Sequence, residues 1–170
     1  MRRTDAHVLI AAAGGLFAGV LLHAADATAL GSSVRAVFES HGLIGIYAVD
    51  CGRRASRSNF YYVNRALDDG HVQFDVMSGP TTRYAETIID QARDVTSDEI
   101  YVNGTHDDGR ALENVWRFTA NRTDEVEYSL GGKKQIANTK WLSDGVGVAP
   151  MYKCAGGISG QAAPPATPGK

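Results

Sequence analysis

The groups best able to do chemistry in this chain are two cysteines, three histidines beyond the amino-terminal segment, and a scatter of carboxylates on alternating segments. Cys51 and Cys154 are the only cysteines. Without Cys-x-x-Cys spacing they offer no redox motif, and two thiolates alone cannot complete a four-ligand zinc site. A single structural disulfide is the expected role, with free or intermolecular thiols as the alternative. His41, His71 and His106 have no local partner that would make a nucleophile and base pair. The turn Thr105-His106-Asp107-Asp108-Gly109 lacks the alternating oxygen ligands and terminal glutamate of a calcium loop, so a solvated hairpin turn is expected there rather than a metal site. Asp75, Glu86, Asp90, Asp94 and Glu113 are strand carboxylates that would need to converge to act as an acid and base pair. Asp75 opposes the apolar face formed by Val72, Phe74 and Val76, which places it on a wet face. No Gly-x-Ser-x-Gly elbow is present. The expected catalytic, metal and cofactor sets are therefore empty.

Aromatic residues carry more information than the titratable ones. Phe74, Trp116, Phe118 and Tyr128 share the parity of the apolar face on their segments, which makes them the candidate ligand-binding or core residues. On the segment from Arg110 to Asn121, Leu112, Trp116 and Phe118 alternate with Glu113, Val115 and Arg117, so the period of two sets an inward face. Val72, Phe74 and Val76, then Ile100 and Val102, then Val126, Tyr128 and Leu130 are expected on the same interior. Trp116 should be among the most buried residues. Phe60-Tyr61-Tyr62 must divide its rings between two faces, which leaves at least one outward and available as a partner surface.

The elements that position these residues are strands. Ser32 to His41 reads as one short helix, with Val34, Val37 and Phe38 at helical spacing, a serine cap and Gly42 as its end. Strands are then expected at Leu43–Cys51, Phe60–Leu67, Val72–Val76, Tyr84–Val95, Glu99–Thr105, Arg110–Asn121, Glu125–Leu130 and Lys134–Trp141. Turn chemistry separates them at Asp68-Asp69-Gly70, Gly79-Pro80, Thr96 to Asp98, Asp107-Asp108-Gly109, Arg122 to Asp124 and Gly131-Gly132. Short connections make successive strands antiparallel neighbours. The expected fold class is all-β: an eight-stranded up-and-down meander, closed or nearly closed into a barrel because closure removes two exposed edges. An open, bent sheet wrapped on the helix is the alternative.

The first 29 residues read as a cleavable signal peptide. Arg2 and Arg3 precede an apolar run from Val8 to Leu22, and Ala27-Thr28-Ala29 supplies the small-x-small cleavage pattern. The run, broken by Gly14, Gly15 and Gly19, falls short of the roughly 20 apolar residues of a membrane span. Cleavage leaves about 140 of the 170 residues, one domain over 30–155. A tail over 156–170, rich in Gly, Ala and Pro, is expected to be disordered. The product is expected to be periplasmic or secreted, where paired cysteines are oxidised. Basic and acidic side chains, 17 against 19, are interspersed with a net charge of −2, which leaves no electrostatic footprint for nucleic acid or an anionic membrane. The sequons at Asn103 and Asn121 would carry glycans only in a eukaryotic secretory route.

Gly45-Ile46-Tyr47, just after the short helix, resembles the Gly-x-Trp opening of lipocalin-like (calycin) barrels, with tyrosine in place of tryptophan. The resemblance implies an eight-strand barrel, an amino-terminal helix and a cysteine pair tying the barrel to its carboxy-terminal segment. The family's Thr-Asp-Tyr turn has no counterpart, and Lys153 rather than an arginine lies beside the last ordered segment. The chain is also similar to small exported bacterial proteins with a Gly-x-aromatic-x-x-Asp-Cys start, here Gly45 to Cys51, a similarity that brings no activity with it. The resulting expectation is a non-catalytic exported binding protein that takes a small apolar ligand inside the barrel. An envelope protein-protein interaction or inhibitor-like module with a filled barrel is the second reading, and an undetected hydrolase the third.

Overall fold

A computed structural model describes residues 33–155 of the chain. The expected signal peptide over 1–29 and tail over 156–170 lie outside these residues. Helix α1 (Val34–Ser40) is followed by β1 (Gly45–Ala48), β2 (Tyr61–Ala66), β3 (Val72–Met77), β4 (Arg83–Asp94) and β5 (Glu99–His106). Strands β6 (Ala111–Thr119), β7 (Arg122–Leu130), β8 (Lys133–Ala137), β9 (Lys140–Trp141) and β10 (Met151–Lys153) complete the order. Every consecutive pair from β1 to β9 is antiparallel, as the short connections require.

Strand β10 pairs with β1 on one edge and with β7 on the other, which closes β1 to β7 plus β10 into a ring of eight strands. The eight-stranded antiparallel barrel expected from the sequence is thus present, with an architecture consistent with a calycin-like fold. Its closing strand differs from the expectation. Lys134–Trp141 breaks at Asn138 and Thr139, both at positive φ, into the β8–β9 hairpin. That hairpin extends from the far half of β7 outside the ring, because Arg122 and Thr123 at the near half of β7 are taken by β10. Arg122 to Asp124, expected as a turn, is therefore strand. Gly131 and Gly132, both at positive φ, make the tight β7–β8 turn that their sequence announces.

Helix α1 plugs one end of the barrel. Ser33 caps it by accepting from the Ala36 amide at 3.2 Å. Its apolar stripe, Val34, Val37 and Phe38, packs into a core with Val72, Ile89, Ile100, Val102 and Trp116. A second, smaller core lies on the outer face, where Ala48, Ala55, Tyr61 and Val63 pack beside the Cys51–Cys154 disulfide. Tyr61 is fully buried there, so the ring of Phe60-Tyr61-Tyr62 that faces outward is covered and forms no partner surface. Asn59 fixes the covering loop: its side chain accepts from the Asp50 amide and donates to the Asp50 and Arg53 carbonyls.

Gly104 on β5 marks the closest backbone approach to a glycine among the described residues. It lies beside the β4 irregularity between Ile89 and Gln91, and a Cβ there would run into the Ile88 carbonyl oxygen and lie 3.0 Å from Ile89 Cα. Neither atom belongs to a side chain that can swing away. Gly104→Ala should therefore cost about 1–3 kcal/mol of stability in urea unfolding, as overpacking does. A midpoint shift within error would show that β4 gives way freely.

Candidate functional site

The end of the barrel away from α1 is hollow. Its apolar lining comes from alternate residues of the strands that the α1 core uses deeper down: Tyr62, Phe74, Val76, Leu112, Tyr128 and Leu130. Phe60, Tyr84 and Trp141 stand with them, Tyr84 being 67% exposed. His106 and Arg110 add polar groups, and the cavity volume is about 580 Å³, within the range of small-ligand pockets. Tyr62 and Phe74 meet edge to face with ring centroids 5.1 Å apart, and Phe60 lies 5.4 Å from Tyr84.

Below the cup is a chamber of about 20 Å³, the room of one water molecule. Tyr62, Phe74 and Glu125 line both spaces, while Tyr47, Asn64, Trp116 and Thr123 line the chamber alone. Glu125 is inward because of a β-bulge. The register between β6 and β7 shifts between Val115 and Trp116, so Trp116 pairs with Glu125 although Asn114 pairs with Tyr128. The extra residue, Val126, is the one expected to face inward, and the shift puts Glu125 and Thr123 on the inner face instead.

The electrostatics of this floor are one-sided. Asn114 donates to Glu125 Oε1 at 2.7 Å, and Asn64 donates to the Leu43 carbonyl at 2.9 Å. Each amide nitrogen thus makes one hydrogen bond, while the carbonyl oxygens of both side chains, together with Thr123 Oγ1, are buried without a hydrogen-bond partner among the described residues. Each such atom costs about 1–3 kcal/mol when left unpaired. Burial pushes the Glu125 carboxyl above the usual carboxylate range, and hydrogen bonds from Asn114 and Trp116 pull it partly back. The Glu125 charge, with burial and Tyr128, in turn holds the Tyr62 hydroxyl well above its usual range. Burial likewise pushes the Tyr47 and Tyr128 hydroxyls up to about 12. No cationic side chain pairs with Glu125 among the described residues.

Of the candidate residues, Phe74 and Tyr128 line the cup, and Trp116 lines the chamber with its ring centroid 5.4 Å from Phe74. Phe118 stands apart in the α1 core, its ring centroid 4.6 Å from that of His41 and tilted at 45° to it, and His41 Nε2 is 2.7 Å from Asp94. Cys51 and Cys154 are bonded, with Cα atoms 5.5 Å apart, on the outer side. Asp75 lies opposite the apolar face as expected, yet it is only 1% exposed, because Arg65, Arg83 and Gln73 cover it. Glu86, its cross-strand partner, is held by Arg83 and Gln73. These two carboxylates meet in a charge-balanced network. His106 is less solvated than its turn implied: it lines the cup, and its Nδ1 lies 2.8 Å from Asp107 and 3.0 Å from Asp108.

Sequence reasoning missed Tyr62, Asn64, Asn114, Thr123 and Glu125 as one group. Asn114 shares the parity of Leu112, Trp116 and Phe118, and that was the available signal. Compared with protein-family models, characterised proteins and solved structures, the chain matches none. The class is therefore defined by the fold and its cavity: a small closed antiparallel β-barrel, plugged by a helix at one end and hollow at the other.

Proposed function

We propose that the protein is a non-catalytic, exported, lipocalin-like binding protein whose ligand is a small, largely apolar molecule held in the open end of the barrel. The cup of about 580 Å³, walled by Tyr62, Phe74, Val76, Tyr128 and Leu130, carries this reading. The disulfide, and Gly45-Ile46-Tyr47 at the start of the ring beside the helical plug, support export and the lipocalin-like shape. The hydrolase reading gains nothing from Asp75 and Glu86, which arginines already neutralise. The interaction-module reading has one observation in its favour: Trp141, Leu142 and Val146 form an apolar stretch at the β9 edge, with Leu142 and Val146 58% and 59% exposed.

The test is titration of the purified protein with N-phenyl-1-naphthylamine, a neutral fluorophore that brightens in apolar surroundings. Saturable one-to-one binding with a Kd on the order of micromolar is expected. Val76→Trp, which fills the cup, should abolish it. No saturable uptake, or uptake that survives Val76→Trp, would reject the reading, and native mass spectra carrying a protein partner instead of a small molecule would favour the interaction module.

A further inference from the structure

Resting on the cup as the ligand site, we infer that the ligand is a primary amine: an apolar body in the cup with its ammonium group seated in the chamber against Glu125. The chamber presents acceptors in excess of donors. Glu125 takes hydrogen bonds from the Asn114 amide nitrogen and the Trp116 indole, both of which can only donate, so its carboxyl oxygens act as acceptors with lone pairs left over. Asn64 Oδ1 and Thr123 Oγ1, on chamber-lining residues, and Asn114 Oδ1 on the amide that holds Glu125, are buried acceptors without partners among the described residues. Asn64 and Asn114 are themselves 95% or more buried, at 5% and 1% exposure. An ammonium carries three donors, no acceptor and a positive charge, the complement of this set.

Size and surroundings select the same group. A chamber of about 20 Å³ holds one water-sized group, which admits –NH3⁺ and excludes a trimethylammonium. The rings of Tyr47, Tyr62, Phe74 and Trp116 wall it, and a cation that meets a ring face is attracted by the aromatic quadrupole. The charged and titratable groups bordering the two spaces are Glu125, His106, Arg110 and the tyrosines. Arg110 is engaged by Asp108 at 2.6 Å, which leaves Glu125 without a resident countercharge.

The experiment compares 4-phenylbutylamine, 4-phenylbutanol and the trimethylammonium analogue as displacers of N-phenyl-1-naphthylamine from the disulfide-intact protein. The amine is expected to bind at least tenfold more tightly than the alcohol and the trimethylammonium. Glu125→Gln should erase that preference, so that amine and alcohol displace the fluorophore equally. Thr123→Val, nearly isosteric and removing an unpartnered hydroxyl, should weaken the amine several-fold with no loss of thermal stability, and it serves if Glu125→Gln does not fold. Equal affinity of amine and alcohol in the wild type would overturn the inference, the chamber then holding only a water. A preference for the amine that persists undiminished in Glu125→Gln or in Thr123→Val would also overturn it. Absence of fluorophore binding altogether would instead reject the cup as a ligand site.

Discussion

With Trp116 replaced by alanine, the barrel should lose about 3–5 kcal/mol of stability in urea unfolding, the cost of deleting a large buried aromatic. Trp116 is 3% exposed and forms the floor between two regions of different packing. On one side Phe38 of the helical plug meets it edge to face at 5.7 Å, and on the other Phe74 does so at 5.4 Å. The α1 side is filled, so the indole cannot be replaced there by collapse of neighbours without moving the helix. The other side is the chamber, where its loss would join an existing space and would also remove a donor that steadies Glu125. Two readouts separate these roles. Truncation should lower the urea midpoint and weaken fluorophore binding together, whereas Phe118→Ala, which touches neither cavity, should lower the midpoint and leave binding intact. A loss below about 1 kcal/mol for Trp116→Ala would mean that the helix does not close the barrel at this residue.

The contrast between Trp116 and Glu125 shows where the fold was legible from sequence. Regular alternation carries a face along a strand for as long as the pleat is unbroken, and Leu112, Trp116 and Phe118 on β6 obey it. The same rule gave Val72, Phe74, Ile100 and Val102, all buried. It failed on β7 because one inserted residue reverses the face of everything before it, and no residue type in Asp124-Glu125-Val126 announces a bulge. Hydrophobicity then misled, since the apolar Val126 looked inward and the charged Glu125 outward. The identity of the closing strand was hidden for a different reason. Met151–Lys153 is too short to show any period, and its place in the ring is set by pairing with β1 and β7, partners more than a hundred and nearly thirty positions earlier in the chain. Asn64 was invisible because an inward asparagine has no sequence signature; its burial follows from the Leu43 carbonyl that needs a donor.

Reduction of the Cys51–Cys154 disulfide should lower the free energy of unfolding by about 2–5 kcal/mol while the folded ring and its cup persist. The bridge spans 103 positions, and closing a loop of about 100 residues removes up to about 4.7 kcal/mol of chain entropy from the unfolded state. Little of that stabilisation depends on the folded side, because β10 keeps independent attachments. Tyr152 and Lys153 stay paired with β1, Met151 and Tyr152 with β7, the Cys154 amide donates to the Ile46 carbonyl at 2.8 Å, and Lys153 donates to the Gly42 carbonyl. The reduced protein should therefore bind the fluorophore as before under native conditions. It should unfold at lower urea and with a larger m-value, since an uncrosslinked unfolded chain exposes more surface. Cys51→Ala with Cys154→Ala should reproduce the reduced protein and be indifferent to dithiothreitol. The competing outcome is loss of binding on reduction with the midpoint unchanged. That would place the effect of the bridge in the folded state, as a clamp holding the three-residue closing strand in a ring that otherwise opens between β7 and β1.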